Sequence, residues 1–150
     1  MTGIKIIAQN KRAGFDFFLI EFYEAGIALT GTEIKSLRNG KVSLSDAFIT
    51  IDSKGQAWVQ NMGIPPYSHG NIANHIEKRK RKLLLNKKEI VALENAMARD
   101  GLTVVPTKIY FKSSLVKLGI ATAKGKKKYD KREDTKTKEV ERNLRRKDFT

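Results

Sequence analysis

A mainly β domain with two or three accompanying helices, followed by a basic tail that has no core of its own, is the fold class this sequence predicts. Three observations lead to it. Short runs rich in β-branched and aromatic residues recur between Gly, Asn and Asp turn signals along the first 123 residues. Two further stretches carry helix caps and helical periodicity instead. Beyond Ala123 only Tyr129, Val140, Leu144 and Phe149 remain as large apolar side chains, too few to offset the entropy of ordering that segment. A chain of 150 residues, 40% hydrophobic, buries one core and has no room for a second full domain. The expected division is therefore a domain over 1–123 and a tail over 124–150 that is disordered when the protein is free.

In chain order, Phe15 to Phe22 has the composition of a strand, and Glu24-Ala25-Gly26 is expected to turn the chain into a short strand, Ile27-Ala28-Leu29. Thr30-Gly31-Thr32-Glu33 has the spacing of a capping box, so a helix should run to Leu37 or Arg38 and stop at Asn39-Gly40. Leu44 to Ile51 and Gln56 to Gln60 flank Asp52-Ser53-Lys54-Gly55, a hairpin signature. Met62 to Ile76, with Gly63, Pro65, Pro66, Gly70, Asn71 and Asn74, reads as a long loop. Asn86 caps a second helix with Glu89 three residues on, Ile90, Leu93 and Met97 form its buried stripe, and Asp100-Gly101 ends it. Val104 to Lys112 and Leu115 to Ala121 form a last hairpin, with Val116, Leu118 and Ile120 on one face and Lys117 pointing outward. About six short strands interrupted by helices suggest a small closed or nearly closed barrel, and the OB-like version is the one that habitually binds nucleic acid.

Charge identifies the kind of partner. Lys and Arg number 30 against 16 Asp and Glu, a net +14 that opposes compaction unless a polyanion meets it. An anionic membrane is disfavoured, because the chain has no run of eighteen apolar residues and its basic stretches lack an apolar helical face. The absence of cysteine excludes disulfides, thiolate nucleophiles and thiolate zinc sites, and fits a reducing cytosol. Met1 to Asn10 lacks a signal-peptide core and cleavage site, so a cytoplasmic location is expected. The segment 124–150 holds twelve basic and six acidic residues, leaving +8 on the body.

The densest cluster is Lys78-Arg79-Lys80-Arg81-Lys82, five cations without an acid, which repel one another unless phosphate neutralises them. Lys11-Arg12 and the pair Lys35 and Arg38 are smaller basic features that a barrel can bring to one rim. Gly125-Lys126-Lys127-Lys128-Tyr129-Asp130-Lys131-Arg132 places an aromatic inside a cationic run, where Lys and Arg meet phosphates while Tyr129 stacks on an unpaired base. His69 and His75 lack a third ligand of clear spacing, so neither a metal site nor a cofactor is expected. With no Gly-x-Ser-x-Gly elbow, Walker A loop or paired carboxylates, no catalytic residue is assigned. Trp58 is either a stacking platform or, more often for a lone Trp in a strand, core.

From about Ile7 to Arg132 these segments resemble the small protein B family, the SsrA-binding or tmRNA-binding proteins of bacterial trans-translation. The resemblance is carried by Asn10-Lys11-Arg12-Ala13, Glu24-Ala25-Gly26-Ile27, Gly31-Thr32-Glu33-Ile34-Lys35-Ser36-Leu37-Arg38, Arg81-Lys82-Leu83-Leu84-Leu85-Asn86, and Gly125-Lys126-Lys127 with Asp130-Lys131-Arg132. It implies an OB-type barrel that binds the tRNA-like domain of tmRNA and delivers it to stalled ribosomes. The tail would then lie, as a helix, in the empty mRNA channel against small-subunit rRNA at the decoding centre. By position it implies Glu24, Leu84 and Asn86 as tmRNA contacts, Tyr129 near the decoding centre, and Asp130, Lys131 and Arg132 in accommodation and tagging. Asn10, Lys11, Arg12, Lys35, Arg38, Arg79, Arg81 and Lys82 complete the expected RNA-binding set, Lys126 and Lys127 the ribosome-contacting tail, and the protein is expected to act as a monomer. Glu77 and Ser113-Ser114 depart from the family pattern, which commonly has Pro and a Gly-containing turn there.

Two rivals remain at this level. One is an OB-fold binder of other RNA or single-stranded DNA, for which the tail is dispensable. The other is an RNA-modifying or hydrolytic enzyme, for which His69, His75, Asp46 and Asp52 have to converge.

Overall fold

The computed structural model describes residues 3–67 and 74–127. In chain order the elements are β1 (Ile4–Gln9), α1 (Lys11–Asp16), β2 (Phe17–Ile27), α2 (Gly31–Arg38), β3 (Phe48–Ile51), β4 (Ala57–Gln60), β5 (Arg81–Leu84), α3 (Lys87–Ala98), β6 (Thr103–Lys112) and β7 (Leu115–Gly125). Seven strands form one antiparallel sheet in the order β1-β6-β7-β2-β5-β4-β3. β3 curls back against β6, so the sheet wraps almost shut around its core as an OB-like barrel.

Both expected helices form, for the expected reasons. Thr30 accepts from the Glu33 amide and Glu33 caps the Thr30 amide, and the left-handed Gly40 (φ 74°) follows the C-cap Asn39 of α2. Asn86 accepts from the Glu89 amide at 2.9 Å to start α3, whose Leu93 is fully buried while Ile90 and Met97 are half-buried beside it. Leu37 of α2 and Leu93 of α3 enter the same core as Val59, Leu83, Ile109 and Ile120. Each such side chain withdrawn from water is worth about 1.5–3 kcal/mol. The loop after β4 also feeds this core, through Met62 and Ile64, both 0% exposed.

The strands differ from expectation in several places, among them β5, which the sequence does not announce, and β7, which runs on to Gly125. β1 was not predicted; it is held by β6, about a hundred residues away in the sequence. Phe15 belongs to α1, which Asn10 caps by accepting from the Ala13 amide. β2 runs straight through Glu24-Ala25-Gly26 instead of turning, and Gly26 serves close packing, since a Cβ there would sit 3.2 Å from Leu84 Cβ. β3 starts at Phe48, not Leu44, because Leu44 to Ala47 make a turn closed by the Ala47 amide on the Leu44 carbonyl at 3.0 Å. The β6–β7 turn places Ser113 at φ 57°, in the left-handed region that favours Gly.

Candidate nucleic-acid interface

Residues paired across an antiparallel ladder share a face, and faces alternate along each strand. The core takes Ala25, Ile27, Leu118, Ile120, Leu83 and Val59. Their neighbours therefore point outward: Glu24 and Gly26 on β2, Lys117 and Gly119 on β7, Lys108 and Tyr110 on β6, Lys82 and Leu84 on β5, Trp58 on β4. Gly26 pairs with both Lys117 and Leu84, and Lys82 pairs with Trp58, so these residues form continuous rows over the outside of the barrel. Leu84 is 58% exposed, a large apolar side chain that the core does not use. Lysines interleaved with aromatic and apolar groups suit an RNA surface, where cations meet phosphate and flat or apolar side chains meet bases.

Glu24 is the acid within this basic face, and its surroundings explain how it is held. The Tyr110 hydroxyl donates to Glu24 Oε2, and Lys112 Nζ lies 3.2 Å from Oε1. The Tyr110 bond, opposed by partial burial and aided by Lys112 and Lys117, keeps the Glu24 carboxyl below the usual range. Burial, with the bond to Glu24 and its charge, pushes the Tyr110 hydroxyl up. Glu24 is thus an ionised acceptor at neutral pH, held through both oxygens yet exposed, so that its remaining lone pairs suit hydrogen-bond donors on a base edge or ribose.

The cluster 78–82 is not the uniform phosphate site its charges suggested. Arg81 lies on β5 facing inward at 0% exposure, so it is part of the interior and not an RNA contact. Its Nε donates to Glu33, itself 0% exposed, and Nη1 donates to the Met62 carbonyl at 2.7 Å. Nη2 reaches the Glu77 carbonyl at 3.0 Å. Arg79 binds the same carboxylate, with Nη2 2.5 Å from Glu33 Oε1. Burial pushes the Glu33 carboxyl up, but the bonds from Arg79, the Thr30 amide and Arg81 outweigh it and hold the group below its ordinary value. The acid absent from the run is supplied by α2. Of the five cations, Lys78, Lys80 and Lys82 remain with no ionic partner among the described residues.

The other expected positions are spread over the surface. Asn10 is structural: besides capping α1 it donates to the Pro106 carbonyl at 2.8 Å and the Leu44 carbonyl at 3.2 Å. Lys11 and Arg12 border a hollow with Val42 to Ser45, and Arg12 pairs with Asp16 at 3.0 Å. Lys35 lies over the Tyr67 ring at 5.6 Å, while Arg38 shares a separate hollow with Lys5, Phe111, Ser113 and Ser114. The expected single rim is therefore two hollows. Asn86 uses Oδ1 for the α3 cap, and its Nδ2 has no partner among the described residues. Lys126 belongs to the body: its amide donates to the Asp16 carbonyl at 2.8 Å and its Nζ to Gly14 at 3.1 Å. β7 itself extends to Gly125, two residues past Ala123. Tyr129, Asp130, Lys131 and Arg132 lie outside the described residues, as does His69.

Sequence reasoning missed Tyr110 and Lys112 as the residues that fix Glu24, and set Trp58 towards the core. Alternation was the available signal for Trp58, since Ala57 and Val59 are the better core residues of β4. Of the candidates for an enzyme, Asp52 accepts from the Lys54 and Gln56 amides and closes the β3–β4 turn, and His75 bridges Thr32 and the Ile64 carbonyl. They serve different parts of the fold. No helix among the described residues is long and apolar enough to cross a membrane.

A nearly closed barrel whose outer sheet face interleaves lysines with the exposed Leu84 and the half-buried Trp58 defines a class: a small RNA-binding β-barrel protein. The family model for SmpB protein matches residues 7–148. SsrA-binding protein of Lysinibacillus sphaericus (strain C3-41) is 51% identical over 142 residues, covering 95% of this chain and 91% of its own. SsrA-binding protein of Bifidobacterium longum (strain DJO10A) is 52% identical over 132 residues, covering 88% and 84%. A solved chain described under "tmRNA-SmpB: a journey to the center of the bacterial ribosome" superposes with a TM-score of 0.68 at 43% identity, covering 84% of this chain and 92% of that one. The chain belongs to the SmpB family of SsrA-binding proteins.

Proposed function

We propose that this protein binds the tRNA-like domain of tmRNA through the outer face of its sheet and carries it to stalled ribosomes for trans-translation. The observation that carries this reading is the face itself: Glu24, Leu84 and Lys82 lie on adjoining strands of one surface, with Asn86 at its border. Nothing in the interior needs them there. Kinship with SsrA-binding proteins along 95% of the chain, and with a chain solved in a tmRNA-SmpB context, supports the choice of tmRNA over other RNA. Lys82, Lys112 and Lys117 supply phosphate contacts while Glu24 and Asn86 read donors and acceptors. The barrel binds and presents RNA and is not an enzyme. Its place of action is the ribosome, in the cytoplasm, and the basic segment after Lys127 enters the vacant mRNA channel, where Tyr129, Asp130, Lys131 and Arg132 engage rRNA.

Recovery of the full chain from a bacterial lysate, with sequencing of the RNA it retains, tests the partner. Enrichment of one structured species of tmRNA type is expected. Scattered mRNA fragments return the protein to general single-strand binding.

A further inference from the structure

Trp58 is the sole Trp of the chain, and the fold does not use it as core. Its neighbours Ala57 and Val59 fill the interior at 1% and 0% exposure, while the indole stands half-buried on the outer face. Its orientation is fixed. Nε1 donates to Asp52 Oδ2 at 3.0 Å, and Asp52 is held in turn through Oδ1 by the Gln56 and Lys54 amides, each at 3.0 Å. Hydrogen bonds from the Gln56 amide and the indole keep the Asp52 carboxyl below its usual range, so the anchor stays ionised. Over the ring lies Lys80 Nζ, 4.5 Å from the centroid, a cation with no ionic partner among the described residues. Lys82 is the direct ladder partner of Trp58. Beside them a hollow of about 490 Å³, bordered by Gly55, Gln56, Lys82, Leu84 and Ile90, leads from this hairpin towards α3.

We propose that Trp58 is a stacking platform for an unpaired base of the RNA bound on this face, with Lys80 holding the ring until the base arrives. This rests on the tmRNA reading above. An aromatic ring pinned at its edge and leaving a face to a mobile cation has lost its orientational entropy before binding, so a base that replaces the cation gains contact at little further cost. A stacked base contributes more than an exposed cation–π contact, and the displaced ammonium stays within reach of the adjoining phosphate. Lys82 and Leu84 come next along the RNA path, which joins this platform to the Glu24 side of the same face.

The lone indole makes the test direct. Trp58 emission of the full-length protein is followed while a tRNA-like-domain transcript of tmRNA, carrying a remote fluorescent label, is titrated in and binding is read independently by anisotropy. Emission is expected to quench in step with binding, and heparin, which offers anions without bases, is expected to leave it unquenched. Trp58→Ala should weaken affinity about 5- to 100-fold with an unchanged salt slope, and Trp58→Phe should restore most of the loss. Lys80→Ala should lower the salt slope by about one without abolishing quenching. Binding without quenching, equal quenching by heparin, or a folded Trp58→Ala variant of unchanged affinity overturns the platform and leaves the tmRNA reading standing. A transcript that does not bind at all removes both.

Discussion

Asn86 gives one end of its side chain to the fold and, in the proposed interface, offers the other to RNA. Oδ1 accepts the Glu89 amide at 2.9 Å to start α3, leaving Nδ2 as a donor at the edge of the proposed RNA face. Asn86→Asp keeps an N-cap acceptor but replaces that donor with negative charge. Thermal stability within about 1 kcal/mol of the parent is therefore expected by calorimetry, together with at least a tenfold loss of tmRNA affinity by gel shift. Comparable losses in both would make the position structural only. Glu33 makes the opposite case, a charge whose partners are all internal. Glu33→Gln leaves Arg79 and the buried Arg81 without their counter-ion and is expected to cost about 3–5 kcal/mol in urea unfolding. Its pH dependence has a definite sign: with a folded pKa below the ordinary 4.5, Glu33 stabilises above that value and loses its contribution as pH falls through the folded one. The parent should lose stability more steeply than Glu33→Gln in that acid window.

At the scale of elements, β7 carries ordered contacts past Ala123. Lys124 and Gly125 pair with Phe18 and Phe17, and Lys126 bonds to the Asp16 and Gly14 carbonyls of α1. Ending the chain after Ala123 is thus expected to cost about 2–3 kcal/mol of stability, at roughly 1 kcal/mol per lost bond, whereas ending it after Lys127 should cost almost nothing in the same urea titration. Both capped helices and both hairpins were legible in the sequence because their signals are local: Thr30 with Glu33, Asn86 with Glu89, the Asp52–Gly55 turn, alternation in 115–121. β5 was not, since Arg81-Lys82-Leu83-Leu84 spells a charged loop until Glu33, 48 residues away, neutralises Arg81. β1 was hidden similarly, because its partner β6 is remote. Gly26 misled in the other direction: after Glu24-Ala25 it signals a turn locally, but its missing Cβ makes room for Leu84 on the neighbouring strand. Of the candidate site, the exposed Glu24 and Leu84 came from family resemblance, alternation along β4 could have turned Trp58 outward, and only ladder register could add Tyr110 and Lys112.

For the whole molecule, the distribution of charge and core predicts that binding and ribosomal function separate. The described body contains the outer face with Glu24, Lys82, Leu84 and Asn86, and every large side chain of the core. Between Lys128 and Thr150 lie nine basic and six acidic residues, a net +3 out of +14, with Tyr129 and few apolar groups. Removing that segment takes a small share of the long-range attraction, so a chain ended after Lys127 should bind isolated tmRNA within about tenfold of the full protein. On the ribosome the balance changes, because rRNA phosphates crowd the mRNA channel and many weak contacts made together can offset the entropy of ordering a charged segment. Acid-first pairs four residues apart, Asp134 with Lys138 and Glu141 with Arg145, favour a helix once those contacts are available. The measurement is peptide tagging in a purified translation system with ribosomes stalled at a transcript end. The chain ended after Lys127 should bind tmRNA yet fail to tag, replacement of Asp130, Lys131 and Arg132 by Ala should reproduce most of the defect, and Tyr129→Ala part of it through lost stacking. Normal tagging by the shortened chain would place the whole ribosomal function on the barrel and make the tail's charge pattern irrelevant to it.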